Sequence, residues 1–188
     1  MGKIKLKIFV VALVAVFMAF MSTTTLAFYQ TVGKATNVVT SGDIQLIIHE
    51  KTDQGTAFPE EGVYIIPGDI VSKQVSIEND CEHPFYLRVK IVYGVDSKEL
   101  SSEDCFKINI NENFWKLHED GWYYYNGIVN PEEITPNVFS HVEMVGSKID
   151  SSNIGRTLTL TVRAQAVQSE NNPVTDGNIY NASGWPKE

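Results

Sequence analysis

Two stretches of this chain alternate strictly between apolar and polar residues. That alternation confines the fold to sheets with one buried face and one wet face. In Phe85-Tyr86-Leu87-Arg88-Val89-Lys90-Ile91 the odd positions are apolar, and Arg88 and Lys90 point the other way. In Thr157-Leu158-Thr159-Leu160-Thr161-Val162-Arg163-Ala164 the even positions are apolar and threonines line the opposite side. Shorter runs repeat the pattern. Ile44, Leu46 and Ile48 alternate with Gln45 and His49; Val71, Val75 and Ile77 alternate with Ser72, Gln74 and Ser76; Phe106, Ile108 and Ile110 alternate with Lys107 and Asn109. No long stretch carries a helical period, and a turn or two near 97–104 is the one helical expectation. About seven to nine short strands at this spacing predict an all-β, antiparallel β-sandwich, jelly-roll-like, over residues 42–168.

Turn chemistry separates the runs. Pro67-Gly68-Asp69 precedes the strand that starts near Val71, with proline setting φ and glycine free to take positive φ. Asp120-Gly121 lies between the aromatic-rich runs at 115–118 and 122–125, a strong hairpin signal. Asn130-Pro131 and Thr135-Pro136 mark a loop before the run at 138–145. After Gln168 the chain turns to Ser, Asn, Pro and Gly, so 169–188 is expected to be a flexible tail.

The N-terminus has the layout of a secretory signal. Lys3, Lys5 and Lys7 precede an apolar run of about 14 residues, short of the roughly 18–20 a membrane span needs. Thr25 and Ala27 then stand at the positions a signal peptidase reads, which places the cut before Phe28. An uncleaved N-terminal anchor is the alternative, and the membrane enters only through this segment. The signal holds three of the 15 basic residues and none of the 23 acidic ones, so residues 28–188 carry a net charge of −11. With no basic run to displace counterions, nucleic acid is excluded as a partner. Cys81 and Cys105 leave two readings open. One is a disulfide closing a loop of about 24 residues and worth ~3 kcal/mol; the other is two unpaired thiols.

Catalysis finds no support in the motifs. His49, His83, His118 and His141 are scattered, and none sits in an H-E-x-x-H helix. No nucleophile elbow, P-loop or dinucleotide fingerprint occurs, so no catalytic residue, metal or cofactor is called for. Carboxylate pairs at Glu60-Glu61, Glu103-Asp104, Glu119-Asp120 and Glu132-Glu133 lack the EF-hand pattern and read as solvated loops. Trp115, Trp122 and Tyr124 allow two readings: an aromatic surface for glycans or a protein partner, or cross-strand packing inside the hairpin.

Several segments in order resemble the TasA/camelysin family of exported biofilm-matrix proteins of Gram-positive bacteria. They are Leu26-Ala27-Phe28-Tyr29, Thr40-Ser41-Gly42-Asp43-Ile44-Gln45-Leu46, Pro67-Gly68-Asp69 with Val71-Ser72-Lys73, Ile77-Glu78-Asn79, and the strand ending Ala164-Gln165-Ala166-Val167-Gln168. Asp120-Gly121-Trp122-Tyr123-Tyr124-Tyr125-Asn126 is similar to shorter clostridial-type members. The resemblance implies a jelly-roll-like sandwich, removal of residues 1–27 by a dedicated signal peptidase, and assembly into fibres in the extracellular matrix or at the cell surface. Residues 28–41 would hold the donor strand, with Phe28, Tyr29, Gln30, Thr31 and Val32 at its head, completing the sheet of a second copy or of a related matrix protein. Camelysin's metalloprotease label does not carry over, because no zinc-ligand motif matches. The family usually has Pro-Gly-Glu where this chain has Pro131-Glu132-Glu133.

Overall fold

Period two builds the two longest antiparallel strands, and everything else is arranged around them. The computed structural model describes residues 29–37, 44–66, 68–95, 98–100, 106–145 and 157–186. The strands are β1 (Tyr29–Asn37), β2 (Leu46–Lys51), β3 (Val63–Ile65), β4 (Ile70–Asn79), β5 (Phe85–Val95), β6 (Lys98–Leu100), β7 (Phe106–Ile108), β8 (Trp115–Leu117), β9 (Tyr123–Tyr125), β10 (Phe139–Met144) and β11 (Thr157–Gln168). One sheet runs β3-β1-β11-β5-β9-β8, with β6 also on β5; the other runs β2-β4-β10-β7. This is the expected all-β sandwich. Among the described strands the pairings are antiparallel except one: β1 lies parallel to β11.

The core forms where the two inner faces meet. Leu158, Leu160 and Val162 of β11 and Leu87 and Val89 of β5 are fully buried, as are Val75 and Ile77 of β4. Each such side chain contributes about 1.5–3 kcal/mol by leaving water. The Asp120-Gly121 hairpin forms as its sequence predicts. Gly121 takes φ +80, and the His118 amide donates to the Trp122 carbonyl at 2.9 Å. The helical expectation near 97–104 gives way at 98–100 to β6, which pairs with Tyr93–Val95 of β5.

Asn79 ties one end of the sandwich together. It is fully buried, and its Nδ2 donates to the carbonyls of His83 and Val129, each at 2.9 Å. Its Oδ1 accepts from the Cys81 amide at 3.0 Å and from Cys81 Sγ at 2.9 Å. Cys81 is therefore a free thiol engaged locally, and Cys105 lies outside the described residues. Main-chain bonds from Asn79 to Glu133 and from Glu132 back to Asn79 clamp the turn at 130–133. Within that turn Glu132 has φ 64, in the left-handed region where glycine is preferred. Replacing Glu132 with glycine should raise stability by about 0.5–1 kcal/mol, the relief of left-handed strain less the added freedom of the unfolded chain. A lower melting temperature for that variant would contradict the strain assigned to Glu132.

Segment 169–186 is not the mobile tail its composition suggests. It makes two short 3-10 turns, Thr175–Gly177 and Ile179–Asn181, and lies as a strap on the outer face of the larger sheet. Ile179 and Ala182 are buried against Tyr86, Trp122, Tyr124 and Val167, with Trp185 packed beside them. Asn172 pins the strap to itself, donating to the Ser183 carbonyl and accepting from the Ser183 amide, both at 2.9 Å. Few apolar residues suffice because they meet a ready apolar face.

Candidate assembly site

The chain's first described strand fills a slot inside the larger sheet. β1 pairs along eight register positions with β11, from Gln30 opposite Thr157 to Asn37 opposite Ala164. On its other side β3 pairs with β1 alone, at Tyr29, Thr31 and Gln30. Tyr29, Gln30, Thr31 and Val32 therefore lie on a strand of their own subunit's sheet. Thr25, Ala27 and Phe28 precede the described residues.

Two physical features define the slot. Its long wall is β11, whose Leu158, Leu160, Val162 and Ala164 are fully buried. That wall would present a row of unpaired main-chain groups if β1 left. Its short wall is β3, which depends on β1 for its place in the sheet. Large apolar side chains also stand exposed on and just after β3: Tyr64 at 71% and Ile66 at 45%. A strand-shaped vacancy bordered by apolar surface suits main-chain addition of an extended segment.

The aromatic residues proposed as a surface are inside. Trp115 is 1% exposed, packs against Tyr125 at 5.2 Å and donates from Nε1 to the Pro136 carbonyl at 3.3 Å. Trp122 is 2% exposed and Tyr124 is buried. Trp122 and Tyr124 pack around Arg88, which lies beneath the strap rather than in solvent. Its Nε and Nη2 donate to Gln165 Oε1 at 3.0 and 2.6 Å, and Nη2 also donates to the Pro186 carbonyl at 3.0 Å. Nη1 donates to Tyr124 Oη at 2.8 Å and to Asp120 Oδ2 at 3.3 Å. The guanidinium sits 4.4 Å from the Trp122 ring and 4.7 Å from the Trp185 ring. All of its N–H groups are used, so no donor is left for an anionic ligand. The cluster locks the strap down.

The lock titrates at both extremes of pH. Burial raises the Asp120 pKa, but hydrogen bonds from Tyr124 and the Trp122 amide, with the charges of His118 and Arg88, outweigh it and leave the carboxyl below its ordinary 3.8. Burial and the bond to Asp120 push Tyr124 up to about 12. A lowered carboxyl supports the fold above pH 3.8 and loses that support as pH falls through its lowered value. A raised phenol supports it below pH 10.0 and loses that support as pH rises toward about 12. Tryptophan emission should therefore be flat through neutrality and shift to the red at both ends. A transition centred near neutral pH would contradict this assignment.

Sequence reasoning missed the strap and one buried pair, Lys73 with Glu50, though the signal for the pair was present. Lys73 occupies an apolar position of the Val71, Val75, Ile77 series, and Glu50 extends the Ile44, Leu46, Ile48 series. Two charges at core positions of neighbouring strands mark a buried contact. Among the described residues, no group of three or more His, Cys, Asp or Glu is placed to hold a metal ion. Comparison with family models, curated proteins and solved structures returned no match.

Proposed function

We propose that this chain is an exported structural subunit that builds extracellular fibres by β-strand addition. The observation that carries the proposal is β1. It follows directly on the expected cleavage junction, it makes the one parallel pairing among the described strands, and its partner β11 lies at the far end of the chain. In the isolated subunit β1 fills its own slot. In the fibre β1 of one subunit fills the slot of the next, a heterologous contact that does not close on itself.

The exchange breaks and remakes the same main-chain hydrogen bonds. The net drive must then come from new contacts between subunits, and Tyr64 and Ile66, on and beside β3, are exposed apolar side chains where such contacts would form. Signal removal at Ala27 frees the N-terminal end to leave, which makes cleavage the switch from precursor to assembling subunit. The resemblance to matrix proteins supplies the setting: the surface or matrix of a Gram-positive bacterium, with a second copy or a related matrix protein as partner. Purified 28–188 should form filaments visible by electron microscopy, and a molar excess of a peptide spanning 28–37 should suppress them. Protein that stays monomeric at high concentration, or filaments indifferent to the peptide, would overturn the proposal.

A further inference from the structure

Lys73 and Glu50 meet at the inner face of the smaller sheet, where Lys73 is shut off from water and the Glu50 side chain is 14% exposed. Glu50 of β2 is registered opposite Val75 of β4, which places Lys73 one inward position further along β4. Lys73 is 1% exposed, and its Nζ lies 2.9 Å from Glu50 Oε1. Phe58, itself buried, closes the site with its ring centre 4.5 Å from Nζ, and its amide donates to the Glu50 carbonyl at 2.9 Å. The two atoms face each other as an ion pair, and neither Nζ nor Oε1 has a hydrogen bond to any other group. Burial holds the Lys73 pKa below its ordinary value, against the opposing pull of Glu50. A buried pair whose facing atoms have no further hydrogen bond is poorly stabilised as ions.

We propose that Lys73 and Glu50 become joined by an intramolecular amide, a covalent staple between edge strand β2 and its neighbour β4. The chemistry balances within the pair. A proton crosses from the ammonium to the carboxylate, leaving a neutral amine beside a neutral carboxyl, the form an apolar site favours. The Nζ lone pair attacks Glu50 Cδ, the Nζ–Cδ bond forms, and the Cδ–O bond breaks. The departing hydroxyl leaves with an amine proton as water, and no oxidant or co-reactant is consumed. The fold supplies what such a reaction lacks in solution, since it holds the reacting groups together and shields Nζ and Oε1 from bulk water. The staple would prevent β2 from peeling away, whether or not the protein assembles.

Intact mass under denaturing conditions tests it on the protein as it stands. Residues 28–188 should weigh one water less than their sequence. Tryptic digestion should give peptide 35–51 linked to peptide 52–88, with cleavage after Lys73 blocked. Glu50→Gln should weigh one ammonia less than its own sequence, because the carboxamide then loses ammonia instead of water. Lys73→Arg should match its sequence mass. A folded wild type at full sequence mass overturns the proposal, and no variant need fold for that result. A water loss that maps to Asp120-Gly121, where a cyclic imide can form, overturns it equally.

Discussion

Replacing Arg88 with alanine should destabilise the protein by about 3 kcal/mol and release the C-terminal strap. Hydrogen bonds to charged groups are worth roughly 1.5–3 kcal/mol each, but their effects overlap, and Asp120 is partly screened by water. The largest share comes from Gln165, which is buried and takes two guanidinium bonds on a single oxygen. A further share comes from the stacking of the guanidinium between Trp122 and Trp185. Arg88→Lys should recover little of this, because an ammonium cannot reproduce the planar fork or the double stack. Urea unfolding measures the loss, and tryptophan emission reports the exposure of Trp122 and Trp185. A loss well under 1 kcal/mol would show that the strap is held by its apolar residues alone.

Deleting residues 28–37 should abolish assembly and weaken the subunit. β11 would lose its eight register positions with β1, and β3 would lose its partner in the larger sheet. The shortened protein should then bind a synthetic 28–37 peptide, since its slot stands open. Binding to the folded state alone raises stability by about 2.7 kcal/mol at a peptide concentration one hundred times Kd. The melting temperature should therefore climb with added peptide, whereas full-length 28–188 should show a much smaller response. Equal responses from the two proteins would mean that the slot is not where the peptide binds.

What the sequence reveals and what it hides follow from how local each signal is. Strict alternation placed β5 and β11 because their faces differ in polarity over 87–91 and 157–164. The Asp120-Gly121 turn was equally plain, since a two-residue signal fixes a short hairpin. Alternation also assigned Arg88 to the wet face, and here it failed. The outer face of the sheet is covered by residues far away in sequence, and no local pattern announces a cover. The strap was hidden for the same reason: Ile179, Ala182 and Trp185 recur every third residue, but the run is too short and too polar to announce what it covers. The parallel pairing of β1 with β11 joins segments at opposite ends of the chain, and only the folded sheet brings them together.

Cysteine trapping across that pairing is the most direct measurement of where β1 goes. Lys34 and Thr161 are register partners in β1 and β11. Both can be replaced by cysteine in a background in which Cys81 and Cys105 are serine. Subunits with two different tags are mixed before assembly, oxidised as monomers or as filaments, and resolved without reductant. In monomers the bond should close within one chain. In filaments it should link differently tagged chains into ladders. Filaments whose bonds all remain within single chains would contradict strand exchange as the basis of assembly.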